Sequence, residues 1–452
     1  MKTALLKKNL LNHSENIDNL IFLLEKRFKN KNLFHAQVYS CFGFEYPIED
    51  KFIASNKSDS VFKNFYDPQS ENYILLRFFC NSTILFQGNN FKDFTSNLKT
   101  DENTPIFFIT PFSDLEQEES SIIIKPNFEI KIKIYINSII LTINNYNENL
   151  FFFESLQNEI NLIFKNKSKN NIKLIKRKKT NLQINENIKS TIQKIKKHMS
   201  QGDCYLANIT TTQTLNKSKK FITMSQFFYC WINNFSRFGI YYNNKKIAIA
   251  SFSPERFLST NNGFVISEPI KGTIKTKYNL PNFKDAYLIW NKQKEILEHT
   301  MIVDLMRNDL HEICLAESIK VYKPFFARIS GNLIQMQSFI VGKLKNKITL
   351  SDCLEKTLPA GSITGTPKRK VCEIIHTLEK NKRGYYTGVC GIKESDGNFD
   401  STLLIRSVFM GKRGVYFGVG AGITSLSNTQ FEFNEFKTKL NSFLPILESL
   451  LK

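Results

Sequence analysis

Two pairs of glutamates carry a spacing with chemical content. Glu295 and Glu298 lie three apart, as do Glu432 and Glu435. On a helix that separation puts both members of a pair on one face. If the two faces meet, four carboxylates converge, and a divalent cation relieves their repulsion; hard oxygen ligands suit Mg2+. Spacing alone leaves the other reading open, because such pairs also decorate solvated helix faces. Lys271, in "SEPIKGTIKT", is a second candidate. A lysine becomes a nucleophile only when burial or nearby cations lower its pKa, and nothing in the local stretch separates Lys271 from a surface cation. Arg406 sits in the apolar run "LLIRSVF". An arginine there needs an anionic partner, either structural or a ligand carboxylate. Two glycine-bearing stretches, "LPAGSITGTPK" and "GVGAGITS", bring backbone N–H groups close to an anion or simply make tight turns. Neither matches the phosphate loop or the dinucleotide fingerprint.

The elements that must position these residues follow from pattern. A long helix is expected from about Asp285 to Asn308, carrying Glu295 and Glu298, and a final helix from about Thr429, carrying Glu432 and Glu435. "KKIAIASFSPERFLST" and "GFVISEP" form a hairpin with Asn262-Gly263 as its turn, and the chain then enters the Lys271 segment. In "SITGTPKRKVCEIIHTLEKNKRG", Thr366 is the expected N-cap and Pro367 the first helical position. Val371, Ile374, Ile375 and Leu378 supply the buried face, and Gly384 follows a basic last turn. "NFDSTLLIRSVFM" and "GVYFGVGAGI" read as paired strands. Ile188, Ile192, Ile195 and Met199 fit a helix ended by Gly202, and "CYLANITTTQTL" a strand. Up to about Phe164, short apolar runs such as "NYILLRFFCNSTILFQG" and "FEIKIKIYINSIILTI" read as strands. Elements come in blocks without strict alternation, which favours α+β over a doubly wound sheet.

Composition narrows the class. The chain has 452 residues, 42% of them hydrophobic, enough for a large core. Its net charge of +21 permits nucleic-acid or membrane binding, but Lys, Asn, Ile and Phe are abundant throughout, as a compositional bias would make them. The run "KNKSKNNIKLIKRKKTN" lacks the interleaved aromatics of a single-strand-binding surface and reads as an exposed loop. Eight scattered cysteines form no C-x-x-C pair, so neither a zinc site nor a disulfide framework is expected. The N-terminus lacks the pattern of a signal peptide and no run is long enough to span a membrane, so a cytoplasmic protein is expected.

Seven stretches occur in one order: "SPERFL", "PIKGT", "MIVDLMRNDL", "LPAGSITGTPK", "RGYYTGVCGI", "TLLIRS" and "FEFNEF". Together they closely resemble the chorismate-utilising family, from about Ile188 to the C-terminus. The N-terminal part is similar in length and strand character only. The resemblance implies an α+β fold of two large, mainly antiparallel sheets packed as a sandwich with helices outside. Residues 1–164 would be a strand-rich N-terminal subdomain intertwined with the core, 165–184 a basic Asn/Lys-rich loop, and 185–452 the chorismate-binding catalytic domain.

It also implies roles. "PIKGT" resembles the branch that aminates chorismate at carbon 4, whereas anthranilate-forming members usually have alanine where Lys271 stands. Lys271 would attack ring carbon 2 as the carbon 4 hydroxyl leaves. Ammonia then adds at carbon 4 and expels the lysine, with the pyruvyl group retained. Glu255 would be the general acid/base for hydroxide departure. Glu295, Glu298, Glu432 and Glu435 fall on the family's Mg2+ positions, and the metal would hold the ring carboxylate. Tyr386 and Arg406 match positions that grip the enolpyruvyl carboxylate, and Gly272, Thr273, Gly420 and Gly422 line the pocket. Ammonia would come from a separate glutamine amidotransferase subunit in a heterodimer, with neither nucleic acid nor membrane as a partner.

Three positions depart from the pattern. Gln335 replaces a histidine tied to anthranilate formation and cannot shuttle a proton at neutral pH. Leu206 stands where isochorismate-forming members place a lysine base and where the amine-adding branch commonly has glutamine. His311-Glu312 replaces a usual Gly-Arg step, which could weaken a turn.

Overall fold

The computed structural model describes residues 2–8, 34–40, 74–80, 83–99, 104–112, 119–126, 128–134, 139–146, 187–216, 221–223, 226–227, 230, 236–244, 246–275, 283–330 and 333–450. The predicted basic loop at 165–184 lies outside them. The first strands are β1 (Lys2–Lys8), β2 (Phe34–Ser40), β3 (Ile74–Cys80) and β4 (Thr83–Gly88), followed by helix α1 (Phe91–Asn97). Next come β5 (Ile106–Thr110), β6 (Ser121–Lys125), β7 (Phe128–Ile134), β8 (Ile139–Asn145), α2 (Asn187–Ser200) and β9 (Leu206–Asn216). The middle of the chain gives β10 (Phe238–Asn243), β11 (Ala248–Ser251), β12 (Arg256–Asn261), β13 (Phe264–Ser267), β14 (Ile270–Lys275), α3 (Phe283–Trp290) and α4 (Gln293–Ile313). After these come β15 (Lys320–Ser330), β16 (Leu333–Lys343), α5 (Leu350–Thr357), β17 (Gly365–Thr366) and α6 (Lys368–Leu378). Last are β18 (Val389–Lys393), β19 (Phe399–Leu403), β20 (Ser407–Gly411), β21 (Gly414–Thr424) and α7 (Thr429–Leu450).

The strands form two antiparallel sheets. One has the order β1-β8-β7-β3-β2-β10-β11-β20-β21-β9-β17. The other runs β14-β16-β13-β12-β19-β18-β5-β6-β4, with β15 also paired to β16. Strands from the first part of the chain therefore complete both sheets: β2 pairs with β10, and β5 with β18. The α+β expectation holds.

Apolar residues facing inward from both sheets form one core. Phe107, Ile109, Ile122 and Ile124 meet Tyr242, Ile249, Phe409 and Tyr416. Each fully buried aromatic or branched side chain contributes roughly 1.5–3 kcal/mol of transfer free energy. Two of the buried tyrosines have partnered polar ends: Tyr385 Oη donates to the Ser120 carbonyl at 2.7 Å, and Tyr416 Oη accepts from the Tyr385 amide at 3.0 Å. A second core joins the other face of the β12-containing sheet to helices. It unites Leu258, Val265 and Ile340 with Ile302, Met306 and Leu310 of α4 and Cys353 and Leu354 of α5.

The Asn262-Gly263 turn forms as expected, with both residues in the left-handed region at φ 50° and 77°, as a two-residue hairpin loop requires. Three expectations need correction. The single helix from Asp285 to Asn308 is two helices, α3 and α4, broken at 291–292. Tertiary packing sets the break: Ile289 is buried with Ala327, Ile334 and Met336, and Trp290 Nε1 donates to the Phe325 carbonyl at 2.8 Å. Thr366 is not an N-cap. It pairs with Leu206 in β17, and α6 starts at Lys368 after Pro367 with no side-chain cap; α6 also ends at Leu378, well before Gly384. Finally, Arg406 is not inside a strand. The chain leaves β19 at Leu403 and enters β20 in the opposite sheet at Ser407, with Arg406 at φ 51° in the crossover.

Candidate active site

Lys271 lies on β14 opposite Met336, and the register slips between Lys271 and Thr273. The slip is a bulge centred on Gly272, whose φ of +68° suits glycine. It presses the strand against the start of α4: a Cβ on Gly272 would lie 3.3 Å from Glu295 Oε2 and 3.2 Å from Ile289 Cδ1. The Lys271 ammonium acts electrostatically on Glu255, Glu298, His299 and Glu435. Thr273 Oγ1 accepts from Gln335 Nε2 at 3.5 Å, so the glutamine at the departing position faces the same strand.

Glu255 is 6% exposed. Burial pushes its carboxyl up to about 7, against the hydroxyl of Ser362, the Lys271 charge and the Ile270 amide, which favour the carboxylate. Its main chain is clamped: the carbonyl accepts from Thr402 Oγ1 at 2.6 Å and the amide donates to Ser253 Oγ at 3.3 Å. Ser362 belongs to a turn fixed from two sides. Asp309 of α4 accepts from the Gly361 amide at 3.2 Å and pairs with Lys368. Arg383, fully buried, donates to the carbonyls of Ile363 at 2.8 Å and Asn208 at 2.7 Å.

The two glutamate pairs do meet. α4 and α7 come together at β21, and Lys294 stands between them. Its Nζ is 2.5 Å from Glu432 Oε1, 3.3 Å from Glu298 Oε1 and 3.7 Å from Glu435 Oε2. Glu298 and Glu432 are 5% and 1% exposed, and Glu432 Oε2 lacks a hydrogen-bond partner. Burial raises the Glu298 carboxyl above its ordinary value. Glu435 is also penalised by burial, yet Lys439, at 2.8 Å, together with Lys294 and Lys271 brings it down to about 2. Among the described residues, no three acidic, histidine or cysteine side chains close around a common point; the carboxylates surround an ammonium instead. Their all-oxygen donor set and the unpartnered buried Oε2 of Glu432 fit a hard divalent cation.

β21 floors the site with Gly418, Gly420 and Gly422 on one face, spanning roughly 13 Å at the usual strand rise. A Cβ at Gly418 would strike the Tyr386 ring at 2.3 Å, and one at Gly420 would lie 3.4 Å from Tyr386 Oη. At the other end, a Cβ at Gly422 would lie 3.2 Å from Glu298 Oε2 and 3.4 Å from Leu206 Cδ1. Leu206 is thus a dry wall of the carboxylate end. The segment after Tyr386 is tied to the segment before Arg406, the Thr387 amide donating to the Leu404 carbonyl at 3.0 Å, and the Arg406 carbonyl accepts from the Phe252 amide at 3.1 Å. Burial lowers the Arg406 guanidinium pKa, and no carboxylate among the described residues pairs with it.

The sequence reading passed over several residues here. Lys294 precedes Glu295 directly, but a lysine among so many carries no signal. His299 is fully buried, donates to or accepts from Ser338 Oγ at 2.7 Å, and is held down to about 3 by burial, so its ring is neutral. Its place in the α4 stripe with Ile302 and Met306 is the signal that could have found it. Ser362, Asp309 and Arg383 sit in or beside quoted motifs but act through contacts distant in sequence. His311-Glu312 ends α4 without a weakened turn, because Lys345 Nζ donates to both carbonyls at 2.9 and 3.0 Å.

The sequence profile of the chorismate binding enzymes matches residues 97–445. The chain belongs to that family. This chorismate binding enzyme is 31% identical over 264 residues to the aminodeoxychorismate synthase component 1 of Escherichia coli, covering 57% of this chain and 56% of the relative. It is 32% identical over 230 residues to the anthranilate synthase component 1 of Saccharolobus solfataricus, covering 48% and 55%. The chain thus spans about half the length of these curated relatives. Its fold is that of the menaquinone-specific isochorismate synthase MenF of Escherichia coli, at TM-score 0.64 and 14% identity over 98% of this chain and 95% of that one. Anthranilate synthase component I of Streptococcus pneumoniae superposes at TM-score 0.60 and 20% identity over 80% of each chain. No helix among the described residues is long and apolar enough to cross a membrane.

Proposed function

We propose that this enzyme is the chorismate-aminating component of an aminodeoxychorismate synthase, producing 4-amino-4-deoxychorismate for p-aminobenzoate and folate synthesis. The observation that carries the reading is the position of Lys271. It lies on the bulged strand beside Glu295, with its charge acting on both Glu255 and the carboxylate cluster.

In the proposed reaction Lys271 and Glu255 share one proton. Lys271 passes it to the Glu255 carboxylate and attacks ring carbon 2 as a free amine. Glu255 then delivers the proton to the carbon 4 hydroxyl, which leaves as water while the ring double bond shifts. Ammonia adds at carbon 4, the double bond shifts back and the lysine leaves as an amine; the proton surplus on the new amino group returns to the pair. A Glu255 pKa near 7 matches both the accepting and the donating step. Arg406, half-buried and without a carboxylate partner among the described residues, binds the enolpyruvyl carboxylate together with Tyr386. Glu295, Glu298, Glu432 and Glu435 would hold Mg2+, which would fix and polarise the ring carboxylate. Ammonia would be delivered by a glutamine amidotransferase subunit, with free ammonium replacing it in vitro.

Incubation with chorismate, Mg2+ and ammonium, with products identified by mass, tests the reading. Aminodeoxychorismate is expected. Anthranilate would move the enzyme to the branch of its other relatives, and unchanged chorismate would reject both. Lys271→Ala is expected to abolish product; an undiminished rate in that variant would rule out covalent catalysis by Lys271.

A further inference from the structure

Lys294 supplies a cation to the carboxylate cluster from the chain itself. Its ammonium lies within 3.7 Å of oxygens from Glu298, Glu432 and Glu435, three of the four side chains proposed to hold the divalent ion. An ammonium has three N–H donors and cannot satisfy the six oxygens these carboxylates present. One of those oxygens, Glu432 Oε2, is buried without a hydrogen bond, and Glu298 Oε1 meets the ammonium only at 3.3 Å. A Mg2+ ion needs oxygens at about 2.0–2.1 Å, and its double charge beside an ammonium in a partly buried site is strongly unfavourable.

We propose that Lys294 is a resident counter-cation that competes with the divalent ion for Glu298, Glu432 and Glu435, so that the metal binds only as the lysine side chain moves out. This rests on the magnesium reading above. The side chain has a way out, because it is 30% exposed on a long flexible stem. The competition has two effects. It keeps three like charges assembled on α4 and α7, and it weakens metal affinity, since each binding event must break the lysine's ion pairs.

The test uses the full chain and Mg2+ itself. Calorimetric titration is expected to give Lys294→Met an affinity for Mg2+ about tenfold or more above the unsubstituted protein. In chelator the variant should melt at lower temperature, and Mg2+ should raise its melting temperature by more than it raises that of the unsubstituted protein. Lys294→Gln, with a polar head, provides a second variant if the methionine form folds poorly. A third measurement needs no variant: amine-reactive labelling of Lys294, read by mass spectrometry, should accelerate when Mg2+ is added. Equal or weaker Mg2+ affinity in the variants, or labelling of Lys294 that Mg2+ leaves unchanged, overturns the competition while leaving the magnesium reading intact. Absence of Mg2+ binding in every form overturns both.

Discussion

Glu298 and Gly422 are in contact across the site: a methyl group on Gly422 would lie 3.2 Å from Glu298 Oε2. The glycine on β21 and the glutamate on α4 therefore share one space, and the carboxylate is seated against bare backbone. Gly422→Val fills that space and turns the carboxylate away from Glu432 and Glu435. Misplacing such a supporting contact commonly costs on the order of 10–100-fold in metal affinity or activity. The Mg2+ concentration for half-maximal turnover should rise by that factor, and the melting temperature should fall as well, because Gly422 is buried against Glu298 and Leu206. An unchanged Mg2+ requirement would show that Glu298 needs no glycine seat.

The pH dependence of Glu255 has opposite signs for stability and activity. Burial raises its pKa from 4.5 to about 7 in the folded protein. Its contribution to stability is therefore full below about pH 4.5 and is lost as pH rises through about 7. In the proposed mechanism Glu255 must start as the carboxylate, so kcat/KM for chorismate, measured at constant free ammonia, should fall as pH drops through about 7. Glu255→Gln should remove the stability change in that window and lower kcat by on the order of 10²–10⁴-fold. Denaturant titrations at pH 5 and pH 8 check the first part, and rate profiles the second.

Asp309 holds the Ser362 turn without touching the reacting centre. Its Oδ2 accepts from the Gly361 amide, and its carboxylate pairs with Lys368, which also donates to the Thr357 carbonyl at 3.0 Å. Asp309→Ala leaves a buried amide unpartnered and frees a partly exposed lysine. The expected loss is about 2–4 kcal/mol in equilibrium unfolding, the lower end because Lys368 reaches solvent. Because Ser362 bonds to Glu255, the acid limb of the rate profile should also move to higher pH. A stability loss with an unmoved acid limb would make Asp309 a purely structural residue.

Gly365 has no room for a side chain. A Cβ there would lie 2.1 Å from the Leu206 carbonyl oxygen, at φ +154°. The obstacle is backbone in the β9–β17 pairing, which cannot rotate away as a side chain could. Gly365→Ala should destabilise the protein by about 3 kcal/mol or more, read as a lowered melting temperature or loss of soluble protein on expression. Wild-type stability in this variant would mean that the β17 pairing is dispensable.

Several parts of this protein were legible along the chain. The Asn262-Gly263 turn is local chemistry, since two consecutive left-handed residues select asparagine and glycine. The three-residue glutamate spacing is likewise a property of any helix, and α4 and α7 carry it. The break between α3 and α4 was hidden because no glycine or proline marks it; burial of Ile289 decides it. Arg406 read as a strand residue because the apolar run around it continues through the crossover between sheets. By itself the sequence determined the family, because seven motifs follow one another in the family's order, and it determined which glutamates share a helix face. Only the tertiary structure decided that the two faces meet at β21, that Gly272 and Gly422 seat Glu295 and Glu298, and that Lys294 lies among the carboxylates. Glu298 and Glu432 are joined through long-range packing, which places both of them against the Lys294 ammonium.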